Sequence, residues 1–140
     1  MPKWSDTAFL LSTPLAMVRE FATAMGQPLD LKHPPVSGTW NAVESEALKL
    51  RKKLIQEEYD EVMTAISDEP DPNVLKELAD LIYVVYGYAA TFGWDLDEAV
   101  RRVHASNMSK LGDDGKPIYR EDGKVMKSGN YKKPDLKDLV

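Results

Sequence analysis

Residues 78–90, Leu-Ala-Asp-Leu-Ile-Tyr-Val-Val-Tyr-Gly-Tyr-Ala-Ala, are apolar nearly all round a helical wheel, with one acid, Asp80, set among them. A helix of that kind has to be covered on every side. A chain of 140 residues has little material of its own to do so. Two arrangements satisfy the constraint: a central helix in a four-helix monomer, or a helix shared with a second subunit. The second is the expectation here, as a homodimer or a pair of dimers.

The rest of the chain supplies partners of the same type. A first helix is expected from Ser12-Thr13-Pro14, where a capping hydroxyl precedes a proline at an early helical position. Leu15, Val18, Phe21, Ala22 and Met25 recur at helical spacing before Gly26 and Pro28 end the segment. Residues 27–41 are rich in proline and glycine and read as a long connection. Asn41 is placed to cap a second helix over 42–67, and the short link 68–72 returns the chain antiparallel into a third helix over 72–92. Asp95-Leu96-Asp97-Glu98 opens a fourth, with Leu96, Ala99, Val100 and Val103 on its inner face. Beyond it, 112–115 and 121–123 are turn signals, and 117–120 with 124–127 form a short hairpin. The reading is one all-α domain: a four-helix bundle over about 14–111, completed by oligomerisation, and an irregular tail over 112–140 with the hairpin in it.

The second and third helices each carry an acid pair three residues apart, Glu58 with Glu61 and Glu77 with Asp80. Acids at that spacing project from one side of a helix. At about 100° per residue, Glu61 shares a stripe with Val43, Leu50 and Leu54, and Glu57 and Glu58 flank it. Glu77 shares one with Val74, Leu81, Val84 and Tyr88, with Asp80 beside it. Carboxylates facing a core are costly unless something positive neutralises them. No lysine or arginine is read on those stripes near the acids, so a divalent cation is the simplest neutraliser. Four carboxylates on two antiparallel helices form an oxygen cage suited to Mg²⁺, with Mn²⁺ able to substitute. Iron bundles pair Glu with His at i+3. Here those places hold Glu61 and Asp80, and the two histidines, His33 and His104, lie elsewhere. The alternative for the acids is a solvated helix face.

Composition closes off other classes. There is no cysteine, so disulfides, zinc fingers and thiol nucleophiles are out. The net charge of -5 argues against nucleic-acid or anionic-membrane binding. No apolar run reaches the ~18 residues of a membrane span. The start, with Phe9-Leu10-Leu11 soon broken by Pro14, lacks a secretion signal's long apolar region. A soluble cytoplasmic protein is the expectation.

Glu57-Glu58-x-x-Glu61 followed by Glu77-x-x-Asp80 resembles the signature of the all-α nucleoside triphosphate pyrophosphohydrolases, the MazG-like and phosphoribosyl-ATP pyrophosphohydrolase-like proteins. Val18-Arg19-Glu20-Phe21 with Gly26-x-Pro28, the run 77–83, and His104-Ala105-Ser106-Asn107-Met108-Ser109-Lys110 are similar to segments of the small single-domain members. The resemblance spans about residues 14–111 and extends less firmly to 127–136. It implies a MazG-like bundle and Mg²⁺-dependent hydrolysis between the α- and β-phosphates of a nucleoside triphosphate, giving a monophosphate and pyrophosphate. Glu58, Glu61, Glu77 and Asp80 are then the metal ligands. Glu57, by analogy with the family's leading glutamate, orients or deprotonates the water. Asn107 and Lys110 would touch phosphate or sugar; their other reading is capping of the fourth helix. Lys127 and Tyr131 would close over triphosphate or base, or belong to an ordinary surface tail. Tyr83 would stack on a base or pack. Base and sugar stay open, and phosphoribosyl-ATP is an alternative substrate. Two rivals remain: redox chemistry at a carboxylate-bridged metal pair, and a non-enzymatic oligomerisation module.

Overall fold

A computed structural model of the chain describes residues 12–35 and 37–140. The expected lead-in, apart from Ser12 and Thr13, lies outside the described residues, as does Val36 of the long connection. The described chain is all-α, with four helices, α1 (Pro14–Ala24), α2 (Ala42–Asp68), α3 (Asp71–Thr91) and α4 (Leu96–Met108). A two-stranded hairpin, β1 (Ile118–Tyr119) and β2 (Val125–Met126), and a 3-10 turn at Lys137–Leu139 follow. The described residues up to Asp95 form one compact unit and Leu96–Val140 a second. No described helix is long and apolar enough to cross a membrane.

In the first unit, capping chemistry sets the helix ends. Thr13 Oγ1 accepts from the Ala16 amide at 3.2 Å, ahead of Pro14 in the first turn. Asn41 and Glu44 form a reciprocal capping box at the start of α2. Gly26 (φ 68°) and Gly93 (φ 71°) stand just past α1 and α3 in the left-handed region. There the Gln27 amide reaches the Ala22 carbonyl and the Trp94 amide the Ala89 carbonyl, the closing pattern that such a glycine permits.

Helices α2 and α3 pack along their length, and α1 packs on α3. Arg51 meets Gly87 while Glu58 meets Asp80, so α2 and α3 run in opposite directions. Their close approach rests on small residues: Ala47 and Ala65 of α2 and Gly87, Ala89 and Ala90 of α3 are all buried. Val18 and Ala22 of α1, Val62, Tyr86 and Phe92 complete this core. The stripe expected on α2 is thereby corrected. Val43 and Leu50 are 60% and 45% exposed. The buried line instead passes through Ala47, Arg51, Val62 and Ala65, and half-buried Glu58 lies on it. Leu54, half-buried, keeps its expected place beside this line, which turns the helix toward Glu58 and leaves Glu61 exposed.

The connection 25–41 is fastened to α3. The Asp30 and Leu31 amides donate to the Ala90 and Thr91 carbonyls at 3.2 and 2.7 Å, satisfying the helix's last acceptors. Asp30 has φ 57°, a left-handed conformation that aspartate tolerates, and takes a two-pronged ion pair from Arg19 at 2.9 and 2.8 Å. His33 is packed among Trp40, Phe92 and Trp94, with ring centroids 4.7–4.8 Å away. Its Nδ1 donates to the Pro34 carbonyl at 3.0 Å, since a carbonyl can only accept. In the neutral ring that leaves Nε2 to accept from the Tyr88 hydroxyl, also at 3.0 Å.

In the second unit the tail folds back on α4. Arg102 donates to the Asp135 carbonyl and to both Asp138 oxygens at 2.6–3.0 Å, and it also pairs with Glu98. Buried Ser106 donates to the Lys132 carbonyl at 2.7 Å. Ser128 Oγ donates to the Leu111 carbonyl at 2.8 Å. The expected hairpin is present, with Ile118 opposite Met126 and Tyr119 opposite Val125.

Candidate metal centre

Each acid's place follows from the rotation of its helix. Glu58 rides the buried stripe of α2. Glu77 and Asp80 are one turn apart on α3, and the side chain of Glu77 is only 13% exposed. One carboxylate oxygen from each of Glu58, Glu77 and Asp80 lies within 4.8 Å of the other two. Glu58 Oε2 and Glu77 Oε2 are buried and have no hydrogen-bond partner. An unpartnered buried carboxylate oxygen is costly, and two in one cluster of acids more so. The donor set is all hard oxygen, so its chemistry fits a cation such as Mg²⁺ or Mn²⁺.

Glu61 stands at the edge of this group. Its carboxyl is held above the usual glutamate range, first by a hydrogen bond with Glu77 and then by the negative charges of Glu58 and Glu77. It lines an open depression of about 420 Å³ with Asp60, Thr64, Glu69 and Glu77. Glu57 is half-exposed and faces Lys53 at 3.8 Å, outside the convergent three.

The expectation that no lysine stands on the acid stripes leaves out a lysine beside them. A lysine does reach the acids: Lys76 Nζ lies 2.9 Å from Asp80 Oδ2 and 3.2 Å from Glu77 Oε1. Those contacts, with Asp80 the stronger cause, raise the pKa of Lys76. The wheel places Lys76 off the apolar stripe, but its flexible stem spans one turn to Asp80 at i+4. That spacing was the signal available in the sequence. Arg51 was also missed. It sits two turns before Glu58 on the same stripe and is 7% exposed, with Gln27 Oε1 as its hydrogen-bond acceptor at 3.1 Å. Burial lowers its pKa.

Tyr83 packs edge-on against Phe21, ring centroids 5.7 Å apart, as the packing alternative expects. It borders an apolar groove of about 420 Å³ that also touches Pro14, Met17, Leu75, Leu78 and Ile82. Burial, then the charge of Glu20, raises its pKa. Asn107, Lys110, Lys127 and Tyr131 belong to the second unit. Asn107 is exposed on the last turn of α4, and Lys110 follows that helix with its amide bonded to the Asn107 carbonyl at 3.1 Å. Lys127 Nζ lies 4.7 Å from the Tyr131 ring centre, which brings this pair together within the tail.

The family model of phosphoribosyl-ATP pyrophosphohydrolase matches residues 18–107, a stretch that holds all five acids. The chain belongs to that family. It is thereby part of the MazG-like all-α pyrophosphohydrolase superfamily. An uncharacterized protein of Acanthamoeba polyphaga mimivirus is 31% identical over 98 residues, covering 68% of this chain and 36% of the viral protein. The chain thus spans about a third of the length of that relative.

Proposed function

We propose that the protein is a metal-dependent pyrophosphohydrolase that splits a nucleoside triphosphate between its α- and β-phosphates, releasing a monophosphate and pyrophosphate. The observation that carries the reading is the pair of buried, unpartnered oxygens on Glu58 and Glu77, on facing helices within the family's matched segment. Glu58, Glu61, Glu77 and Asp80 would hold the cation. Bound there, Mg²⁺ or Mn²⁺ would offset the charge on the triphosphate oxygens and on the departing pyrophosphate. Glu57, one residue ahead of Glu58, orients the attacking water and takes its proton. Asn107 and Lys110 bind phosphate or sugar, and Lys127 with Tyr131 contributes to the base or triphosphate contact. The family match also favours a second substrate, phosphoribosyl-ATP, which offers the same triphosphate linkage.

The test is hydrolysis in ¹⁸O-labelled water across ribo- and deoxyribonucleoside triphosphates and phosphoribosyl-ATP. Label in the monophosphate, with equal amounts of intact pyrophosphate, is the expected result. Stepwise orthophosphate release through a diphosphate overturns the reading. Label in pyrophosphate alone moves the attack to the β-phosphorus and removes the role given to Glu57.

The second part of the proposal is a homodimer. Among the described residues, the groove between α1 and α3 is lined without a charged side chain. Leu75, Leu78 and Ile82 beside it are 43–69% exposed in the single chain. An exposed apolar face of this kind suits a second copy of the chain.

A further inference from the structure

The acid cluster already holds a cation of its own. The Lys76 ammonium touches Asp80 and Glu77, two of the three convergent carboxylates. Its side chain is 65% exposed, and among the described residues its ion-pair partners are these two acids. We propose that Lys76 is the resident counter-cation of the metal site. It neutralises Glu77 and Asp80 while the site lacks metal, is displaced when a divalent cation enters, and then meets the polyphosphate of the substrate.

This proposal rests on the cluster being a metal site, and the reasoning is electrostatic. Glu58, Glu77 and Asp80 place like charges within 4.8 Å, which destabilises the cluster unless something positive is near. A lysine one turn away supplies that charge with a flexible stem and little burial, so leaving is cheap. A divalent cation seeks the same carboxylates, and two cations sharing them within a few ångströms repel each other. The metal therefore competes with Lys76 for Glu77 and Asp80. Once displaced, the ammonium stays tethered near the start of α3, at the rim of the site, where phosphate oxygens would give it a new anion. Metal loading and polyphosphate binding are coupled through this one side chain.

The experiment measures Mn²⁺ binding, by loss of the free-Mn²⁺ paramagnetic resonance signal, on the wild type, Lys76→Met and Glu77→Gln. Lys76→Met should bind Mn²⁺ about three- to tenfold more tightly than wild type, since the competing charge is gone. Metal-free Lys76→Met should also melt below metal-free wild type, with the gap closing when Mn²⁺ is present. Inorganic tripolyphosphate, titrated into Mn²⁺-saturated protein, should bind Lys76→Met several-fold more weakly. Equal or weaker Mn²⁺ binding by Lys76→Met overturns the displacement and makes the lysine an orienting partner of the ligands. Equal tripolyphosphate binding overturns the phosphate contact. A wild type that takes up no Mn²⁺, or a Glu77→Gln variant that binds it like wild type, sinks the metal-site reading itself.

Discussion

The Arg51 guanidinium occupies the space that a side chain at position 87 would need: a Cβ built on Gly87 would stand 2.7 Å from Nη1 and 3.6 Å from Cζ. Glycine inside a helix costs about 1 kcal/mol relative to alanine, so α3 gives up helix stability to leave room for a buried cation. No carboxylate among the described residues forms an ion pair with that cation. Gly87→Ala should therefore destabilise the protein by about 1–2 kcal/mol in urea unfolding, because the guanidinium is pushed off Gln27. In an Arg51→Met background the same change should be neutral or stabilising by up to about 1 kcal/mol. A stabilising Gly87→Ala in the wild type would show that Arg51 moves aside freely.

The Arg19–Asp30 pair gives a pH signature. The hydrogen bonds from Arg19, ahead of its charge, hold the Asp30 carboxyl below the usual aspartate range. A depressed acid adds stability above its unfolded pKa of about 3.9 and loses it as pH falls through the folded value. Asp30 is 58% exposed, so the pair is worth under about 1 kcal/mol at neutral pH. Asp30→Asn, which keeps a residue tolerant of positive φ, should cost that much at pH 7. The difference from wild type should vanish in strong acid. A pH-independent difference in urea unfolding would assign the loss to geometry instead.

Glu58→Gln or Asp80→Asn should lower Mg²⁺-dependent pyrophosphate release by at least about a hundredfold while leaving the helical circular dichroism unchanged. Metal-free Glu58→Gln should melt above metal-free wild type, since a buried unpartnered charge has been removed. Near-normal release by either variant would reject the ligand assignment.

Light scattering at micromolar concentration should report a dimer or a pair of dimers, and Ile82→Lys should shift it toward the monomer. A well-folded wild-type monomer would leave the apolar faces of α1 and α3 without a cover.

The helix ends were legible because each carries its own chemistry: Thr13 before Pro14, Asn41 with Glu44, and the glycines at 26 and 93. The acid cluster was legible for the same reason, as Glu58, Glu77 and Asp80 keep helical spacing on neighbouring segments. What could not be read was the rotation of α2. A wheel weights large apolar residues and so favours Val43 and Leu50. The buried line instead includes Ala47, Arg51 and Ala65, small or charged residues that the wheel discounts. Lys76 was missed because a stripe describes where a side chain begins, and a lysine acts where its stem ends. The anchoring of His33 on Tyr88 spans 55 residues and leaves no local pattern.

The amides of Asp30 and Leu31 lie in a stretch without regular structure, yet their protons are held by the last carbonyls of α3. Such protons exchange with solvent only when the bond that holds them opens. In a deuterium-uptake experiment these two positions should label with the end of α3 and not on the fast timescale of a free loop. The connection and the helix terminus would then breathe together, and loosening one, by Asp30→Pro for instance, should speed labelling in the other.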